Sequence, residues 1–350
     1  MRIGMPLSYS GGFAETAAVI GEYEAAGLDI LFVPEAYSFD AVSLLGFLAA
    51  RTTRLELASG ILNVYSRTPA LLAMTAAGLD HVSGGRFTLG IGASGPQVVE
   101  GFHGLPYRAP LGRTREVAQI CRAVWRREPL DHRGPQISVP LTAEDGGTGL
   151  GKPLKLINRP ERARIPMMLA ALGPRNVALA AELFEAWEPI FYLPEGAEAA
   201  FGEALAEGAA RRDPELGPLD VVADVNVLVT EDDDEADRGR ERVRRHLALY
   251  VGGMGARGKN FYNDLAGRYG YPAEAAKVQE LYLDGSKDKA AAALPEELVR
   301  GVSLVGPRSY VAERMAAFAD AGVTTLNATP LAEDHGGRLR SVATLVELAA

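Results

Sequence analysis

Hydrophobic and polar positions along this chain follow one repeating rhythm. A short apolar run of buried-strand type is followed by a longer stretch with apolar residues every third or fourth position, the pattern of a helix laid on a sheet. Strands are predicted over residues 2–7, 28–34, 55–59, 87–91, 165–170, 186–191, 221–229 and 323–327. Helices are predicted over 14–26, 40–50, 68–79, 114–125, from 174 onward, and over 308–321 and 339–348. In the first helix Ala17, Ile20 and Glu24 mark successive turns, and Gly27 stops it. Thr68 followed by Pro69 is an N-cap with proline at the first helical position. Val117, Ile120, Cys121 and Val124 form a stripe at helical spacing, and Val177, Ala180, Ala181 and Phe184 form another. The acidic run 231–241 reads as a solvated helix start, with its carboxylates at the positive end of the helix dipole.

The rhythm breaks twice. Residues 128–164 are rich in proline, glycine and charge, and 250–295 are irregular but helical; both read as insertions. The second holds Phe261, Tyr262, Tyr269, Tyr271 and Tyr282, read as core packing between insertion helices, with a lid over a pocket as the other reading. Ala26-Gly27-Leu28-Asp29 and Ala321-Gly322-Val323-Thr324 repeat one phrase, a helix end, a glycine and a strand. Eight such units with right-handed crossovers close into an α/β fold of (β/α)8 TIM-barrel type, here one domain over 1–350; an open doubly wound sheet is the rival.

The most informative stretch is 79–101, LDHVSGGRFTLGIGASGPQVVEG. A helix ends, Gly84-Gly85 turns the chain, and a short strand opens into a loop of small residues. Gly90, Gly92 and Gly95 remove side chains from the strand exit, where a flat ligand can approach backbone, and Ser94 and Gln97 offer hydrogen bonds there. In parallel α/β folds ligands sit at the carboxyl ends of strands.

Composition narrows the class. The net charge of −9 argues against nucleic acid or an anionic membrane surface as partner. Cys121 is the single cysteine, so no internal disulfide forms, as suits a reducing cytosol. The start carries no apolar run of signal-peptide length, and no run is long enough to span a bilayer, so a cytoplasmic location is expected. Gly90-x-Gly92-x-x-Gly95 matches the dinucleotide fingerprint, but Pro96 follows and no helix is predicted before Thr114. Gly146 to Gly151 with Lys152 has P-loop spacing, yet Pro153 stands where a hydroxyl is required. His81, His103, His132, His246 and His335 lack ligand spacing, so no metal site is expected, and His81 reads as a capping or packing residue. No G-x-S-x-G nucleophile elbow is present.

Several phrases together resemble the luciferase-like monooxygenase superfamily, and within it the bacterial oxidoreductases that use coenzyme F420, a deazaflavin. They are VPEAYSFDA (33–41), SGILNVYSRTPALLAM (59–74), the 79–101 stretch, LGRTRE (111–116), GTGLGKPLK (147–155), LAALGPRNVALAAE (169–182) and KNFYNDLAGRYGY (259–271). The resemblance implies a luciferase-like barrel that moves a hydride between deazaflavin C5 and a small organic substrate, with FMN as the alternative cofactor. An FMN enzyme would be a monooxygenase served by a partner reductase. A binding protein without turnover is the third reading. A homodimer is implied as well.

The resemblance also assigns positions. Glu35 stands at the end of strand two, but Ala36 replaces the histidine that often follows. Gly60-Ile61 matches a non-prolyl cis peptide behind the ring, flanked by Ser59 and Asn63. Ala93 and Ser94 match the ring edge, with Gln97 beyond. Ala171, Leu172, Gly173, Pro174, Arg175, Asn176 and Val177 form a phosphate loop, where the N–H groups of Arg175, Asn176 and Val177 are expected to face a ligand at the helix N-terminus. Leu172 replaces a second glycine. Arg67 is assigned to the phosphate or the oligoglutamate tail, with helix capping as the other reading. In strand six, Glu185-Ala186-Trp187-Glu188-Pro189 departs from the usual Asp-Gly-Trp-x-Pro. Candidates for the proton in catalysis are Glu35, Tyr37 and His103.

Overall fold

A computed structural model describes residues 1–8 and 12–350. Eight parallel strands close into a barrel: β1 (Arg2–Pro6), β2 (Ile30–Val33), β3 (Glu56–Ser59), β4 (Phe87–Gly92), β5 (Met167–Ala170), β6 (Ala186–Glu188), β7 (Asp220–Val229) and β8 (Thr325–Pro330). Each pairs with the next, and β8 returns to β1 through Thr325 opposite Arg2 and Asn327 opposite Gly4. The barrel therefore prevails over the open sheet.

Strand parity explains the two-sided burial. One set of side chains points outward beneath the helices, among them Leu31, Val33, Leu57, Leu89, Ile91 and Trp187. The other set fills the lumen with Ile30, Phe32, Ala58, Met168, Ala186 and Val222. A third cluster, with Phe191, Leu228, Val243, Leu247, Val278 and Val299, packs the second insertion against the outer half of β7.

Local chemistry sets the helix ends. Asp40 accepts from the Ser43 N–H at 2.9 Å and Thr68 from the Leu71 N–H at 3.2 Å, so both caps lie where the sequence puts them. Gly84 and Gly85 take φ of +67° and +81°, the left-handed turn that releases β4 from the preceding helix. The acidic run opens helix Asp233–Ala248, capped by Asp232. Tyr23, not Glu24, is the third buried position of helix Phe13–Ala25; Glu24 instead accepts the N–H groups of Thr53, Arg54 and Leu55.

Several elements differ from the prediction. Helix Ala197–Ala209 follows β6, and strand Ser303–Gly306 flanks the outer half of β7; neither had been expected. The first is rich in alanine with weak periodicity, and the second is only four residues long. β6 ends at Glu188 because Phe191 turns to φ +55°. After β4 a one-turn helix, Pro96–Val99, forms at once, and the next helix begins at Pro110 rather than Thr114. The 128–164 segment carries a small hairpin, His132–Arg133 with Ser138–Val139. Among the described residues no helix is long and apolar enough to cross a membrane.

Candidate active site at the barrel mouth

Strand register assembles a rim from separate chain segments. Asn63, in the short strand Leu62–Asn63, lies opposite Gly92; Ile91 lies opposite Leu169; Ala170 lies opposite Glu188; Asp224 lies opposite Asn327. The Gly60-Ile61 bond is cis, at the position the resemblance assigned. A Cβ on Gly92 would stand 2.6 Å from Ile61 Cδ1, and one on Gly90 would stand 1.9 Å from the Ser59 carbonyl oxygen. At Gly90 backbone thus packs on backbone, which only glycine permits, while at Gly92 the missing side chain leaves room for the end of Ile61. Ser59 is fully buried, and its hydroxyl bridges to the Gly90 carbonyl (2.8 Å) and N–H (2.9 Å), so it ties β3 to β4.

Asn63 is 3% exposed. Its Oδ1 accepts the Tyr65 N–H at 2.8 Å, but Nδ2 has no partner among the described residues. A buried amide donor without an acceptor costs on the order of 1–3 kcal/mol. That orphaned donor beside a rim of bare backbone fits a planar ligand carrying carbonyl acceptors. Ala93 continues the rim half-buried, and Ser94 is exposed with φ +56°, its carbonyl accepting the Tyr107 hydroxyl at 3.1 Å. Gln97 is exposed on the one-turn helix.

The three proton candidates part company. Glu35 is gripped by Arg67 through two contacts, 2.6 Å and 2.8 Å, and also accepts the Ala41 N–H at 3.1 Å. Arg67 reaches Asp40 with its second nitrogen at 2.6 Å. The Glu35 hydrogen bond is the main reason the guanidinium is held above its ordinary pKa. Burial raises the Asp40 carboxyl, but hydrogen bonds from Ser43 and the charge of Arg67 outweigh it and hold it below the usual range. Glu35, Arg67 and Asp40 therefore lock β2 to the helix Ala41–Ala49. Tyr37 is 69% exposed, with its ring 6.2 Å from Phe102. His103 lies half-buried in the loop after the one-turn helix, edge-on to Phe102 at 5.3 Å.

At the end of β5, Gly173 caps helix Pro174–Leu183. The expectation of three free N–H groups is corrected here. Asn176 and Val177 both donate to the Gly173 carbonyl, at 2.9 Å and 3.0 Å, because Val177 is the first residue with a carbonyl four positions back. Of the three, the Arg175 N–H has no backbone acceptor among the described residues; Pro174 has no N–H. Ala171 is buried and its carbonyl accepts the Trp187 indole N–H at 2.9 Å. Arg268 donates to the Leu172 carbonyl at 2.7 Å, bracing the loop from the second insertion.

The aromatic set of that insertion divides. Tyr262 packs edge-on against Tyr250 (4.7 Å) and Phe191 (6.3 Å), and Tyr269 against Phe201 (6.2 Å), as core residues. Phe261 is 58% exposed, with its ring edge 4.0 Å from where a Cβ on Gly173 would stand, so it flanks the phosphate loop rather than the core. His81 is neither cap nor core: it is exposed and pairs with Glu161 at 2.7 Å.

The lumen holds residues that sequence reasoning missed. Glu188, Asp224 and Asn327 point inward just below the rim, where Asn327 Nδ2 lies 2.6 Å from Asp224 Oδ1 and 3.5 Å from Glu188 Oε1. The available signal was a polar residue at inward parity inside an apolar strand, as in Val222, Asp224 and Asn226. In the strand-six phrase Glu188 stands at the free position, and the departures from the usual pattern are Glu185 and Ala186. Trp187 beside it faces outward, and Glu185, at the opposite end of β6, binds Arg122 and Arg164.

Comparison with known proteins decides the family. A family model for luciferase-like monooxygenases matches residues 1–325. The chain belongs to the luciferase-like monooxygenase family. Within that family, one relative is 43% identical over 94% of this chain and 95% of its own length. It is a Mycobacterium tuberculosis protein whose name assigns it provisionally as a coenzyme F420-dependent oxidoreductase. Among solved structures, the coenzyme F420-dependent tetrahydromethanopterin reductase of Methanopyrus kandleri aligns with a TM-score of 0.80 at 21% identity, covering 99% of this chain and 97% of the other. The oxygenating constituent of a Pseudomonas putida diketocamphane monooxygenase, in complex with FMN, aligns with a TM-score of 0.67 at 20% identity, covering 100% of this chain and 98% of the other. At such identities these two show the shared luciferase-like fold.

Proposed function

We propose that this chain is a coenzyme F420-dependent oxidoreductase acting on a small organic substrate at the barrel mouth. The observation that carries the reading is the rim itself: bare backbone at Gly90 and Gly92, the cis step Gly60-Ile61, and the buried, unpartnered Nδ2 of Asn63. The name of the 43%-identical relative supports deazaflavin over flavin. When bound, F420 supplies a hydride donor or acceptor at C5. The protein's share is placement. Asn63 Nδ2 would donate to the ring, Gly92 and Ala93 would let the ring lie against the strand exit, and the Arg175 N–H with the Gly173 loop would meet an anionic group. Glu35 and Arg67 hold the mouth together rather than touch the reacting atoms, since the guanidinium already has three carboxylate contacts.

Titration of the purified chain with F420 and with FMN, followed by fluorescence quenching, tests the reading. Micromolar quenching by F420 with none by FMN is expected. Binding of FMN alone would reverse the cofactor assignment and favour the flavin monooxygenase reading, which the FMN-bound Pseudomonas putida structure of the same fold illustrates.

A further inference from the structure

Glu188 and Asp224 meet inside the lumen from neighbouring strands. Glu188 is 7% exposed and Asp224 is half-buried. The Asn327 amide nitrogen approaches both, which brings their nearest oxygens within about 6 Å of each other. Among the described residues neither carboxylate forms an ion pair, in contrast to Glu35, Glu116, Glu182 and Glu185, each of which faces an arginine or histidine. The groups facing the pair from the other elements are the Tyr250 and Tyr262 side chains of the second insertion, whose phenols burial raises and the Asp224 charge raises further, and the Asn327 amide of β8. His246, edge-on to Tyr250 at 4.9 Å, is held neutral by burial.

A second observation stands apart from the acids. Asn327 is 3% exposed, and its Oδ1 has no hydrogen-bond partner among the described residues. Among the described residues the Asn327 amide is the one group that hydrogen-bonds the two carboxyls, and the orphaned carbonyl adds a further acceptor. Such a surplus of buried acceptors favours a proton on one of them. Two carboxylates this near each other in a poorly solvated lumen resist ionising together.

We propose that Glu188 and Asp224 share one proton beneath the barrel mouth, and that this proton is exchanged with the substrate when a hydride passes at the rim. The second half rests on the F420-dependent reading above. In the reducing direction bound reduced deazaflavin would supply hydride to a substrate carbonyl carbon by breaking its C5–H bond, and the pair would supply the proton to the oxygen by breaking a carboxyl O–H bond. The C=O π bond would break as the C–H and O–H bonds form, and the pair would regain a proton from solvent, which takes up the N1 proton that the oxidised ring releases. In the oxidising direction the pair accepts the proton of a C–OH group as its carbon gives up hydride. The substrate class is therefore a carbonyl compound or its alcohol.

Burial pushes the Glu188 carboxyl well above the ordinary range, with the Asp224 charge adding to it, and burial raises Asp224 to about 7. Those directions agree with the geometry.

Infrared spectroscopy of the ligand-free protein tests the shared proton. A protonated-carboxyl band is expected to persist at neutral pH in the wild type, to fade above it, and to vanish in the Glu188→Gln/Asp224→Asn double variant. Asp224→Asn alone removes the like charge that raises Glu188, so the carboxyl titration that remains should move down by about one pH unit. The matching limb of the pH–rate profile should move with it, while F420 affinity stays within about twofold. Asn327→Ser, which removes the donor to Asp224, should move the Asp224 titration up. Both amide replacements conserve shape, and circular dichroism checks the fold. A wild type with no protonated carboxyl at neutral pH overturns the proposal, and so does an unchanged pH profile in Asp224→Asn. If the wild type fails to bind F420, the cofactor reading and the exchange fall together, while the infrared band still decides whether the pair holds a proton.

Discussion

Two acidic groups stand near the carboxyl ends of the strands, and they are built in opposite ways. At β2, Glu35 and Asp40 surround Arg67, every charge has a counter-charge, and the Ala41 and Ser43 N–H groups complete the set. At β6 and β7, Glu188 and Asp224 face each other across an amide, with no cation among the described residues. The first arrangement is a clamp. Its Asp40 carboxyl is held below the ordinary range by the Ser43 hydrogen bonds and the Arg67 charge, which outweigh burial. The second is poised to hold a proton, because ionising both groups is opposed by burial and by mutual repulsion. Residue type is the same in the two places, one glutamate and one aspartate in each. The neighbours supplied by distant strands decide which acid can do proton chemistry.

The largest expected effect breaks the clamp. Arg67→Met leaves Glu35 buried without its partner and should destabilise the chain by about 3 kcal/mol, read from urea unfolding. A loss below about 1 kcal/mol would show that Glu35 finds water, and the contrast between the two acid groups would weaken. Gly92→Ala comes next. The added Cβ meets the end of a flexible Ile61 side chain, so the melting temperature should hold while F420 affinity falls by about tenfold or more. Unchanged binding would remove the rim from the ring site. Asn63→Asp keeps the acceptor for the Tyr65 N–H but deletes the unpartnered donor, and F420 affinity should drop by about tenfold.

A smaller effect has a defined sign with pH. The folded chain holds a proton on Asp224 up to about pH 7, whereas the unfolded chain releases it in the ordinary carboxylate range. The native state therefore binds more protons in that window, and stability declines as pH rises through it. Asp224→Asn removes the decline. Its melting temperature relative to wild type should be higher at about pH 8 than at about pH 5, by roughly 2 °C or more. An equal difference at both values would place Asp224 ionised and solvated. The smallest effect belongs to the exposed His81–Glu161 pair, where His81→Ala should change stability by less than about 0.5 kcal/mol.

The chain's own order settled a good deal. The apolar runs, the Thr68-Pro69 and Asp40 helix starts, and the Gly84-Gly85 turn are local events governed by neighbours a few residues away. From them the barrel and the rim of small residues were legible, whereas the cis Gly60-Ile61 step was implied by the family resemblance alone. Short or alanine-rich elements, Ser303–Gly306 and Ala197–Ala209, carried too weak a period to be seen. What only the folded molecule decided was partnership. Arg67 meets Glu35 across 32 residues, and Asn327 meets Glu188 across 139. The pairing and stagger of strands around a closed barrel set such meetings, and linear spacing carries no trace of them. Whether a carboxyl at a strand end is a strut or holds a proton depends on charge and solvent brought there by the far side of the barrel.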